Sequence, residues 1–79
     1  MVVIAHSTGF NVTVSRWFNN GGVSIIGEHD SEVASDAFDY ANQAQGYFRW
    51  AIQEMDATKI EIEIRLDNRL IELVEITRD

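Results

Sequence analysis

The chain has 79 residues, with no cysteine and no proline, and 13 acidic against 6 basic side chains give it a formal charge of −7. That length provides one domain near the lower limit of independent folding, and the missing cysteines exclude disulfide staples, thiolate metal sites and cysteine nucleophiles. The sign of the charge repels phosphate backbones, so direct nucleic-acid binding is not expected and a basic partner is.

The charge is uneven. Residues 1–30 carry −1, from Arg16 against Glu28 and Asp30; residues 31–58 carry −4, and residues 59–79 carry −2. No stretch approaches the ~20 apolar residues of a membrane-crossing helix. The apolar run at residues 2–5 is short for a signal sequence and has no basic flank. A cytoplasmic protein is the expectation, and the absence of cysteine suits that reducing compartment. Asn11-Val12-Thr13 matches a glycosylation sequon, which matters only in a secreted context.

In chain order, residues 2–6 read as a short strand and Ser7-Thr8-Gly9 as a turn. Residues 10–18 alternate, with Phe10, Val12, Val14 and Phe18 on one face and Asn11, Thr13, Ser15 and Trp17 on the other. A three-residue loop would set Ile4 against Val12 and Val2 against Val14. Asn19-Asn20-Gly21-Gly22 is a hairpin signal, because tight turns need positive φ. It predicts Phe18 opposite Val23 and Arg16 opposite Ile25, with a third strand over residues 23–28.

Asp30 or Ser31 then caps a helix predicted to run to about Asp56, and Glu32 in its first turn suits the helix dipole. Ala34, Ala37, Phe38, Ala41, Ala44, Phe48, Ala51, Ile52 and Met55 form its apolar stripe. The alanines let the helix lie close to a sheet. Gly46 falls on the opposite side, at a cost of ~1 kcal/mol relative to alanine.

Residues 59–66 alternate Ile60, Ile62, Ile64 and Leu66 against Glu61, Glu63 and Arg65. Asp67-Asn68 makes a tight turn and residues 69–77 return. A two-residue loop sets Ile71 opposite Ile64, Leu73 opposite Ile62 and Glu63 opposite Glu72. Leu70, Val74 and Ile76 do not fit that parity. Either a bulge shifts the register near Val74, or the strand is apolar on both faces. The order βββαββ gives an α+β fold: an antiparallel sheet of four to five strands with one long helix on one face. Strand order is left open.

No constellation reaches a named chemistry. Ser24, His29, Asp30 and Ser31 are residue types of a hydrolase triad, but chain neighbours cannot relay a proton and no serine sits in G-x-S-x-G. Glu28, His29 and Asp30 are weak ligand types that alternate in direction along a strand. Asn20-Gly21-Gly22 lacks the frame and lysine of a phosphate loop. The carboxylates of the last hairpin would need a pocket to separate their pKa values. No cofactor, metal or enzymatic activity is expected.

Three surfaces remain. On the helix, Tyr40 and Tyr47 lie at the flank of the stripe and Trp50 nearly opposite it, sharing that side with Asp36, Gln43 and Glu54; rigid aromatics beside acids suit an interface. The open sheet face presents Thr13, Ser15, Trp17, Glu61, Glu63, Arg65 and Glu72. The outer strand 69–77 offers Leu70, Val74 and Ile76 to a second copy.

In size, acidity and βββαββ plan the whole chain resembles the small phage-encoded inhibitors, anti-CRISPR proteins among them; the likeness is architectural and rests on no shared motif. It implies a non-enzymatic inhibitor in a host cytoplasm that blocks a basic, nucleic-acid-binding complex by steric or electrostatic occlusion. Asp36, Asp39, Glu54, Glu61 and Glu63 would then meet Lys and Arg, with Tyr40, Tyr47 and Trp50 as anchors. The alternative is a homodimeric module pairing through strand 69–77.

Overall fold

A computed structural model describes residues 9–78. They form β1 (Phe10–Trp17), β2 (Val23–Ser31), α1 (Ala34–Ala51), a 3-10 turn (Ile52–Glu54), β3 (Lys59–Leu66) and β4 (Arg69–Thr77). The four strands make one antiparallel sheet in the order β2-β1-β3-β4, and α1 packs on one face of it, giving the expected α+β architecture. The strand expected at residues 2–6 lies outside the described residues. Both hydrogen-bonding flanks of β1 are taken, by β2 and by β3.

That order follows from the crossover. β2 and β3 are each antiparallel to β1 and therefore parallel to one another, a relation that requires a crossover connection, here a helix. α1 carries the chain from edge strand β2 across β1 to β3. Beneath it, Val12 and Val14 of β1, Ile60, Ile62 and Ile64 of β3 and Ile76 of β4 meet Ala37, Ala41, Ala44 and Ile52. Phe10, Ile26, Phe38, Phe48, Met55 and Val74 close the margins. The alanine stripe is buried as its spacing predicts, except Ala34, which is exposed.

The helix is shorter than residues 31–56. Asp30 and Ser31 belong to β2, opposite Asn11 and Phe10. The Asn11 amide donates to Asp30 Oδ1 at 2.7 Å, and the Ser31 hydroxyl accepts the Val33 N–H at 3.0 Å. Both side chains serve the strand end and the turn, and the N-cap is Val33, without a side-chain cap. At the other end α1 tightens into the 3-10 turn and Met55 is already extended. The Arg78 guanidinium donates to the carbonyls of Met55 (3.1 Å) and Gln53 (3.3 Å), meeting acceptors that a helix end leaves open.

Two registers differ from expectation, one through the loop and one through a bulge. In the first hairpin Gly21 takes φ +91, its N–H bonds the Phe18 carbonyl, and the Phe18 N–H bonds the Gly22 carbonyl. This is a three-residue loop with the left-handed position filled by glycine. It sets Trp17 opposite Val23 and Arg16 opposite Ser24, not Phe18 opposite Val23 or Arg16 opposite Ile25. A bulge then restores parity: Ser15 faces Ile25, Val14 faces Gly27, and Ile26 is the extra residue, packed on the core. Asp67 and Asn68 both have positive φ, 51° and 72°, the tight two-residue turn expected there. Past Arg65–Leu70 the register shifts, so Ile64 faces Glu72, Ile62 faces Val74 and Ile60 faces Ile76. Of the two readings left open for this strand, the bulge holds, centred on Ile71 rather than Val74. The pairs Ile71–Ile64, Leu73–Ile62 and Glu63–Glu72 do not form. The bulge turns Val74 and Ile76 onto the helix and Leu73 onto the open face, opposite Glu63.

Candidate interaction surfaces

α1 presents its outer side to solvent because only one stripe of it is apolar. Asp39, Gln43, Gly46 and Trp50 follow one another at three- and four-residue spacing along that side, with Tyr47 and Glu54 beside them. All six are exposed. Trp50 is 69 % and Tyr47 59 % accessible, and their rings lie 6.3 Å apart. Tyr47 also meets the half-buried Phe48 edge-on at 4.9 Å, which anchors it to the core margin. Two large rings held in place at a surface lose little freedom on binding.

Tyr40 and Asp36 do something else. Gly27 of β2 lies beneath α1, and a Cβ there would come within 2.7 Å of the Tyr40 hydroxyl. Tyr40 fills that space, half-buried, and stacks on His29 with centroids 4.7 Å apart and planes 15° apart. His29 Nε2 lies 2.9 Å from Asp36 Oδ2. Hydrogen bonding from His29 first, then from Ser31, holds the Asp36 carboxyl below its ordinary value. The three residues fasten the first turns of α1 to the edge strand. Sequence reading considered His29 as a triad residue type and a weak ligand type. Its signal was Asp36 and Tyr40, four apart on one helix face, above a strand position of core parity.

Glu61 and Glu63 lie on the far side of the sheet from α1. Trp17 Nε1 donates to Glu61 Oε1 at 2.8 Å. Lys59 Nζ stands 3.3 Å from Glu61 and 3.2 Å from Glu75, and 5.2 Å over the Trp17 ring. Burial pushes the Glu61 carboxyl up, but the indole and ammonium bonds together outweigh it and leave it below its ordinary value. The same contacts, Glu75 ahead of Glu61, raise Lys59. Lys59 thereby offsets the like-charge pairing of Glu61 with Glu75. Glu63 is bonded by Arg65 at 3.2 Å. The acids of this face are largely matched by its own cations and indole.

The eight residues predicted to bind a partner thus do not make one surface. Asp39, Tyr47 and Trp50 share the outer side of α1, and Glu54 lies on the 3-10 turn that continues it. Asp36 and Tyr40 serve the α1–β2 junction, and Glu61 and Glu63 face the opposite way. Sequence reading missed the exposed apolar residues at the sheet edges, Val23 and Ile25 on β2 and Ile71 and Leu73 on β4; they became visible only once the bulges fixed the parity.

Glu28 and Asp30 face the open side while His29 faces the helix, so these three do not converge on one point. Ser31 bonds Val33 and His29 pairs with Asp36. Among the described residues no helix is long and apolar enough to cross a membrane. Comparison with protein-family models, with curated proteins and with solved structures finds no match to this chain.

Proposed function

We propose that this chain is a non-enzymatic interaction protein of the small phage-encoded inhibitor kind, which occludes a basic, nucleic-acid-binding partner through the outer side of α1. The carrying observation is the exposed Tyr47–Trp50 pair set between Asp39 and Glu54. Aromatic anchors supply most of the energy of typical interfaces. Flanking carboxylates steer encounter with Lys and Arg, and an arginine stacked on Trp50 adds a cation–π contact. The mean charge supports the same direction of recognition, since the stretch containing α1 holds more than half of the net −7.

The test is affinity capture from a candidate host with three baits: the wild-type chain, Tyr47→Ala/Trp50→Ala, and Glu63→Lys on the opposite face. The expected partner is nucleic-acid-binding, is kept by wild type and Glu63→Lys, and is lost with the aromatic variant. Added to that partner, the chain displaces its DNA or RNA. Capture that survives Tyr47→Ala/Trp50→Ala, or a partner that retains its nucleic acid, rejects the reading.

A further inference from the structure

The loop that joins β1 to β2 contains Asn20-Gly21, the one place in the chain where glycine follows asparagine. Both residues are exposed. Gly21 takes φ +91, and a Cβ there would meet nothing within 4 Å. The Gly22 N–H donates to Asn20 Oδ1 at 2.8 Å, while Asn20 Nδ2 donates to no described residue. That bond polarises the side-chain carbonyl and sets a donor at the oxygen where negative charge develops when Cγ is attacked. The Gly21 nitrogen is the nearest nucleophile along the chain, and with no side chain on Gly21 its approach to Cγ is unhindered. The Gly21 N–H is bonded to the Phe18 carbonyl at 3.0 Å, and at an exposed hairpin tip such a bond is among the first of the fold to open.

The other asparagines lack this combination. Asn11 donates to Asp30 at 2.7 Å and accepts from the Thr13 hydroxyl at 2.9 Å, with β-branched Val12 next to it. Asn42 lies inside α1, where the following N–H is held in the helical ladder. Asn19 and Asn68 precede Asn20 and Arg69, whose side chains crowd the attacking nitrogen.

We propose that Asn20 is a site of covalent modification, at which the folded chain deamidates through a cyclic imide. Hydroxide removes the Gly21 N–H proton and the nitrogen bonds to Asn20 Cγ. The Cγ–Nδ2 bond breaks, and the amide nitrogen takes a proton from water and leaves as ammonia, which regenerates hydroxide. Water then cleaves either imide C–N bond. Opening at Cγ gives aspartate. Opening at the main-chain carbonyl gives isoaspartate, with the chain running through Cγ. Each product adds a negative charge to a molecule of −7, and isoaspartate also lengthens the loop that sets Trp17 opposite Val23. The chain thereby carries a slow, irreversible change of charge and backbone confined to one hairpin.

Incubation of the full chain in oxygen-labelled water over a range of pH, followed by peptide mapping with mass spectrometry, tests it. Exchange of NH2 for labelled OH is expected at Asn20 ahead of Asn11, Asn19, Asn42 and Asn68, at a rate that rises with pH. Both aspartate and isoaspartate are expected at that position. Gly21→Val, checked for folding by circular dichroism, is expected to react more than about tenfold slower, the effect of ~1.4 kcal/mol on a barrier. The comparison among asparagines within the wild-type chain does not depend on that variant. Equal conversion at the asparagines, aspartate without isoaspartate, or an unchanged rate in folded Gly21→Val overturns the inference.

Discussion

Asp36 is exposed, yet its carboxyl is held below the ordinary value of 3.8, first by the His29 hydrogen bond. A depressed folded-state pKa stabilises the fold above the unfolded value and is lost as pH falls through the folded one. The advantage of wild type over Asp36→Asn in thermal melting is therefore expected to be full above about pH 3.8 and to shrink as the pH falls below it. A melting difference that does not vary with pH would show that the ion pair plays no part. Glu61 offers the complementary case, because there burial opposes the hydrogen bonds. Replacing Trp17 by Phe removes the indole donor and leaves the burial, so the Glu61 carboxyl is expected to titrate higher. Carboxyl chemical shifts followed through acid titration measure this directly, and an unmoved midpoint would deny the indole its role. At this scale the sequence showed which residue types were present and, by alternation, the face of Glu61 and Glu63. It could not show that Glu61 is already bonded by Trp17, because that bond spans 44 positions of chain and depends on the β1–β3 pairing.

The elements themselves were readable where periodicity alone decides them. The stripe Ala37, Ala41, Ala44, Phe48, Ala51 and Ile52 marked the inner side of α1, and Ile60, Ile62 and Ile64 marked that of β3; all are buried or packed against the core. Boundaries and registers were less readable because each turns on a single residue. Ser31 suits an N-cap and a strand end equally by type, and pairing with Phe10 decided between them. Each bulge inserts one residue, Ile26 or Ile71, and alternation cannot say which of two adjacent apolar residues, Ile25 and Ile26 or Leu70 and Ile71, is the extra one. Two stability predictions belong here. A Cβ on Gly46 meets nothing within 4 Å, so Gly46→Ala is expected to stabilise the fold by about 1 kcal/mol in urea unfolding, the cost of glycine inside a helix. A destabilising result would mean that the outer side of α1 is not free. Ile62 is fully buried between β1 and β4, and Ile62→Ala is expected to cost about 2–5 kcal/mol. A cost under about 1 kcal/mol would contradict the packing described.

At the scale of the whole molecule, the described residues form two layers, one helix on a sheet whose other face none of them covers, and that arrangement separates the acidic residues into groups with different work. Asp36 at the α1–β2 junction helps hold the layers together, Glu61, Glu63 and Glu75 on the open sheet face meet internal cations, and Asp39 and Glu54 remain beside Tyr47 and Trp50. The sequence placed all of them outside the core but could not divide them, since the division depends on the strand order and on the space above Gly27. Binding through the helix side is expected to weaken with ionic strength, as encounter between acids and a basic surface is screened within ~8–10 Å at physiological salt. The most direct measurement is calorimetric titration of the captured partner with wild type, Tyr47→Ala/Trp50→Ala and Glu63→Lys, each checked for folding by circular dichroism. Loss of roughly 2 kcal/mol or more for the aromatic double variant, with Glu63→Lys unchanged, is the expected result. Wild-type affinity in the aromatic variant would contradict it and remove the outer side of α1 as the docking surface.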